Sequence, residues 1–379
     1  MRFKQIAACC SGLACAALVS VSSTAFAAEK KVNIWNWSDY MAENTVSEFT
    51  KDTGIAANYV TFDSNELVEA RLLSGNTGFD AIMMTSYYVP RLAAAGALEK
   101  IDKSKISNYS DLDKKRMELL ATIDPDNAYA IPYTEISLGI GYNTKKIEEI
   151  FGKGTKIDSW DFILNEENAS KLEKCGIAVL DSPVEVISSI QHYLKKDPAS
   201  EKRSDYEDAQ EVLTRFARHV AYFHSSRYIN DLASGDICLA IGYSGDILQA
   251  NDRAFAAKRD YNINYVFPKE GSLLWFDCWI MPKNSANAAN GLQWIDYLMR
   301  PEVASQISNE IRYILPLNKA IANIDPDLSA NPSINLTPEL LEVAYFPKAP
   351  SARLSKIHNQ IWNSMKLNST KEEEGSGWE

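Results

Sequence analysis

Near residue 30 the chain begins to alternate: Val32 and Ile34 flank Asn33, the period of a half-buried strand. Short apolar runs then trade places with helical patterns. Residues 32–37 read as a strand, 42–50 as a helix, 56–62 as a strand, and 65–73 as a helix stopped at Gly75. Residues 81–84 read as a buried strand and 89–95 as a helix ending near Gly96. Past 136–143 a second alternation holds apolar runs at 177–180, 237–241 and 263–266. This order predicts an α/β fold in which mostly parallel, mixed sheets are flanked by helices. Ligands of such sheets meet the loops at the carboxyl ends of strands, which puts 37–40 and 85–88 in one cleft.

The ends change the picture. Met1-Arg2-Phe3-Lys4, an apolar run and Ala25-Phe26-Ala27 read as an export signal over 1–27, cut after about Ala27. Ile6-Ala7-Ala8-Cys9 superficially resembles a lipoprotein box but precedes any apolar core. The mature chain of about 350 residues exceeds what one core supports, so two lobes are expected. Residues 28–135 and 249–305 are assigned to lobe 1 and residues 136–248 and 306–370 to lobe 2, joined by a two-segment hinge; 371–379 read as a frayed acidic tail.

Loss of Arg2 and Lys4 takes the formal charge from −11 to −13. An acidic exported protein is a poor partner for nucleic acid and suits cationic solutes. Cys175, Cys238 and Cys278 remain after the signal, without a Cys-x-x-Cys. In an oxidising compartment they predict one disulfide and one free thiol, and Cys278, inside the apolar run 275–281, reads as the buried thiol. No cofactor is called for.

The sharpest local signal is Asn36-Trp37-Ser38-Asp39-Tyr40. An indole, a hydroxyl, a carboxylate and a phenol make walls for a cation, through ring faces and ion pairing. The alternative is an ordinary strand-to-helix turn with Ser38 or Asp39 as N-cap.

That segment, Gly78-Phe79-Asp80, Gly139-Ile140-Gly141-Tyr142-Asn143, Gly235-Asp236-Ile237-Cys238 and Trp275-Phe276-Asp277 together resemble the periplasmic polyamine-binding proteins of ABC importers, especially the putrescine-receptor branch. The resemblance implies a two-lobed, type II periplasmic binding protein, acting as a monomer. It would capture putrescine first and spermidine second and deliver them to an inner-membrane permease. Carried over residue by residue, it implies ligand contacts from Trp37, Ser38, Asp39 and Tyr40, and from Thr85 and Tyr87 in the second loop. From elsewhere in the chain it implies contacts from Glu185, Tyr243, Asp246, Trp275, Asp277 and Tyr313, and a disulfide between Cys175 and Cys238.

Tyr243 stands where the family usually has Trp, a change of roughly 0.5–1 kcal/mol in cation–π attraction. Ser182 stands where spermidine-preferring members carry a second acid, whereas Trp275 and Tyr87 resemble the spermidine branch. One arrangement pairs one ammonium with Asp246 and Asp277 and the other with Asp39 and Glu185, the aromatics covering the methylenes.

Other functions leave weaker traces. His192, His219, His224 and His358 form no His-x-x-x-His, and Gly242-Tyr243-Ser244-Gly245 lacks the spacing of a nucleophile elbow. Tyr87-Tyr88 is open to reading as a phenolate pair for ferric iron, and a polyamine sensor would share the importer's binding physics.

Overall fold

The computed structural model describes residues 30–38, 40–62, 64–75 and 77–370, without the side chains of 368–370. The signal over 1–27, Asp39 and the tail over 371–379 therefore lie outside the described residues.

The strands are β1 (Lys31–Trp37), β2 (Ala56–Phe62), β3 (Ala81–Thr85), β4 (Ala130–Asn143), β5 (Ile177–Val179), β6 (Tyr222–Phe223), β7 (Leu239–Tyr243), β8 (Ile263–Val266) and β9 (Leu274–Ile280). β2, β1 and β3 run parallel, and β9 closes that sheet antiparallel to β3. β6, β5 and β7 form a second parallel set. β4 belongs to both sheets: its first half pairs with β9 and its second half with β7 and β8, all antiparallel. Each residue of its 14 is buried, as expected where both faces are covered. Pro132, which has no N–H to donate, marks the point where its register against β9 shifts.

The strands read at 32–37, 56–62, 81–84 and 263–266 form where the pattern placed them. The first helix is displaced to Thr45–Thr53, with Asn44 rather than Ser38 at the N-cap position. It ends at Gly54, whose φ of 68° suits a residue without Cβ. Asp80 is structural: its carboxylate accepts hydrogen bonds from Asn33 N (2.8 Å), Ser285 Oγ (2.6 Å) and Asn287 N (3.0 Å).

Several pairings run across the expected division into lobes. Residues 249–273, expected in lobe 1, contain β8, which pairs with β4 in the second sheet. The segment after 306 was expected in lobe 2, yet its first part lies with lobe 1. Leu317 bridges Leu112, and Arg116 Nη2 donates to Asn335 Oδ1 at 3.1 Å. Residues 98–128 in turn join the first sheet through Leu98–Pro282 and the hydrogen bond from Ile101 N to Ala128 O. The chain returns to lobe 2 where Tyr345 N donates to Ser272 O. Crossings thus occur in β4, at the start of β9, and between Asn335 and Tyr345. Alternating α/β segments look alike in either lobe, so only long-range pairing distinguishes them.

Candidate functional site

Five strands, β1, β3, β5, β6 and β7, point their carboxyl ends toward one cavity of about 950 Å³ between the sheets, and β9 brings its amino end. β1 delivers Trp37, Ser38 and Tyr40; β3 delivers Thr85 and Tyr87; β5 leads to Ser182 and Glu185. β6 leads to His224 and Ser226, and β7 to Tyr243 and Asp246. β9 runs antiparallel and presents Trp275 and Asp277, two residues apart and on one face.

The register explains the inner end. Asp277 lies opposite Thr85 on one side and Thr134 on the other. Thr85 Oγ1 donates to Asp277 Oδ1 at 2.9 Å, and Asn65 Nδ2 donates to Thr85 Oγ1 at 3.0 Å. Tyr40 bonds Thr134 through its hydroxyl and meets Tyr133 and Tyr313 edge-on. Among the described residues, the buried Trp37 indole N–H has no partner of hydrogen-bond geometry. Burial pushes the Asp277 carboxyl up to about 7, against the pull of Thr85, Tyr40 and Trp37.

Glu185 sits in the first turn of the helix Pro183–Tyr193. Tyr87, from lobe 1, donates to Oε1 at 3.1 Å, and Tyr243, from lobe 2, donates to Oε2 at 3.0 Å. Burial raises this carboxyl too, opposed by hydrogen bonds from Ser182, Tyr243 and Tyr87. Asp246 opens the helix Ser244–Ala256, where it accepts from Tyr228 at 2.7 Å and from Tyr313 at 2.8 Å. Both carboxylates occupy helix N-termini, where partial positive charge favours them. Trp275 is walled edge-on by Tyr243 at 5.7 Å and Tyr87 at 6.4 Å. Trp279, on the same strand face, packs instead into the core against Tyr133 and Trp294.

Every predicted site residue within the described chain therefore comes to this cavity, and Cys175 and Cys238 are bonded with Cα atoms 5.5 Å apart. Cys278 is the buried free thiol. Tyr87 and Tyr88 send their hydroxyls to different acids, Glu185 and Glu66, and burial raises both phenols, which keeps them protonated donors and speaks against a phenolate pair. Sequence reading missed Tyr228, Asn65, Thr134 and His224. Tyr228 and His224 follow β6, and the rule about strand ends would have flagged them had a two-residue strand been visible.

Neither Glu185 nor Asp277 forms an ion pair with a Lys, Arg or His among the described residues. The site thus offers buried carboxyl groups held by hydroxyls, aromatic walls, and no internal cation for those two acids. Such an arrangement is suited to a positive charge entering from solution.

A family model described as bacterial extracellular solute-binding protein matches residues 44–335. The putrescine-binding periplasmic protein PotF of Escherichia coli is 40% identical over 94% of this chain and 97% of its own. The putrescine-binding periplasmic protein SpuD of Pseudomonas aeruginosa is 39% identical over 92% of this chain and 95% of its own. Among solved structures, the spermidine/putrescine ABC transporter substrate-binding protein PotD of Streptococcus pneumoniae superposes with a TM-score of 0.77. It is 22% identical, covering 90% of this chain and 100% of that one, which bears on the fold alone.

Proposed function

The chain belongs to the bacterial extracellular solute-binding protein family, and from that premise we propose that it captures a polyamine in the periplasm and hands it to an inner-membrane ABC permease. Putrescine is the first ligand and spermidine the second. The observation that carries this reading is the pair of buried acids, Glu185 and Asp277, supplied with hydroxyl donors but, among the described residues, no cationic side chain. An ammonium group brings the missing charge. As it arrives, the ionised carboxylate is favoured and the carboxyl proton leaves to solvent. Trp37, Tyr87, Tyr243 and Trp275 cover the methylenes and add cation–π attraction. Ser38, Asp39, Tyr40, Thr85, Asp246 and Tyr313 complete the contacts. The protein binds its ligand without turning it over.

The lobes close on strands β4 and β9, and Tyr87–Glu185 is a bond that forms only when they meet. Ser182, where a second acid would serve a third ammonium, favours the diamine.

Calorimetric titration of the mature protein, unfolded and refolded free of carried-over ligand, tests the reading with putrescine, cadaverine and spermidine. One-to-one binding with putrescine strongest is expected. Preference for spermidine would reverse the role given to Ser182, and absence of heat with any amine would overturn the assignment.

A further inference from the structure

Tyr313 reaches Asp246 from the opposite lobe, and its position depends on the residue before it. The helix Pro301–Ile311 follows Ala288–Leu298, which packs on β1 and β3, and Glu310 accepts a hydrogen bond from Glu43 N at 2.7 Å. This segment therefore belongs to lobe 1. The helix Ser244–Ala256 follows β7 and packs on β4 and β8, so it belongs to lobe 2. Between them stands Arg312, with its side chain 6% exposed and a backbone φ of 62°. That conformation persists in a non-glycine residue only where the surroundings fix it.

Three carboxylates surround the guanidinium. Asp325, at 3.3 Å, and Asp327 lie on its own lobe. Asp252 Oδ2, 3.2 Å from Nε at ion-pair distance, lies on the helix of the other lobe. Two further contacts run in parallel. Gln249 Nε2 donates to Ile311 O at 3.1 Å, and the Tyr313 ring covers Gly245 so closely that a Cβ there would run into it. The Tyr313 hydroxyl then donates to Asp246 Oδ1 and accepts from Asp246 N.

We propose that Arg312 is a positioning residue: its pairing with Asp252 clasps the two lobes together beside the cleft and holds Tyr313 on Asp246. The inference rests on the cleft being the ligand site given above. Arg312, Asp252, Asp325 and Asp327 do not line the cavity, so the clasp biases closure before binding and slows opening afterwards. Asp325 and Asp327 orient the guanidinium from its own side.

The asymmetry supplies the test. Asp252→Asn removes the partner across the cleft and leaves Arg312 paired twice, whereas Asp327→Asn weakens its anchorage within lobe 1 and keeps the crossing pair. Putrescine dissociation is measured by stopped flow, and the ligand-free radius of gyration by small-angle X-ray scattering. Asp252→Asn is expected to speed release about three- to fivefold, the range of a partly exposed pair, with the association rate little changed. It should also expand the ligand-free protein. Asp327→Asn should do neither, whatever it costs in melting temperature. Equal release rates and equal scattering for Asp252→Asn and the parent protein would overturn the clasp, as would equal effects from both variants. The scattering arm needs no ligand, so a failure of the polyamine assignment leaves the clasp decided on its own.

Discussion

Asp277 and Glu135 are near neighbours on one pair of strands, yet they are provided for differently. Thr134 faces Asp277 across the β4–β9 ladder, and Glu135 faces Phe276 in the next step, so the two acids point to opposite sides. Both are buried, and burial raises both carboxyls. Glu135 has its cation built in. Arg116 Nε lies 2.5 Å from Oε2 and Nη2 lies 3.3 Å from Oε1, while Nη2 also donates to Asn335. Among the described residues, Asp277 has hydroxyl groups and the Trp37 indole around it and no cationic side chain. The first is a completed ion pair that ties the crossing strand β4 to the segments around Arg116 and Asn335. On the proposed function, the second is half of an ion pair whose other half comes from solution. A buried acid with its cation is a structural element; one without is a binding element.

The contrast breaks most visibly at Glu135. Glu135→Gln leaves Arg116 buried with Asp113 as its remaining carboxylate and Asn335 as a neutral acceptor, which should cost about 3 kcal/mol of stability by urea denaturation. Polyamine affinity measured below the transition should change little. Asp277→Asn should do the reverse, since the amide keeps its shape and cannot balance an ammonium. Loss of about 2–3 kcal/mol of putrescine binding, or roughly a hundredfold in Kd, is expected by calorimetry, with stability equal to or above that of the parent protein.

Next in size is the pH response. Burial pushes the Asp277 carboxyl up to about 7, and on the proposed function the ligand selects its ionised form. Putrescine affinity should therefore be level above pH 7 and fall by up to about tenfold per unit below it. The free protein should show the opposite trend. A carboxyl raised in the folded state binds more protons there than in the unfolded chain, so its contribution to stability declines from about pH 4 to 7 and is level beyond. Comparing the melting curves of parent and Asp277→Asn between pH 5 and 8 isolates that contribution. The smallest effect sharpens the comparison: Tyr243→Phe removes one of the hydroxyls on Glu185 and should weaken binding by about 1 kcal/mol, read as a fivefold rise in Kd.

Much of this was legible before the structure. β1 and the loop after it follow from alternation and from the concentration of aromatic and acidic groups at 37–40. Trp275 and Asp277 share a strand face by their spacing of two, but spacing alone cannot say that Trp275 lines the cleft while Trp279 is core. That choice is made by Tyr133 and Trp294, which come from distant parts of the chain. The pairing of β8 was not legible for a similar reason: β8 is a strand in the sequence, but its pairing with 140–143 is a long-range event. Tyr228 was hidden because β6 spans two residues and carries no readable period.

The most direct test follows the Asp277 carboxyl itself, by carbon NMR of protein labelled at aspartate carboxyls, with Asp277→Asn for assignment. In the ligand-free protein the signal should titrate near pH 7, and saturating putrescine should move that titration down by two units or more. A carboxyl already ionised at pH 5 without ligand, or a titration unmoved by putrescine, would contradict the claim that this acid waits for an external cation.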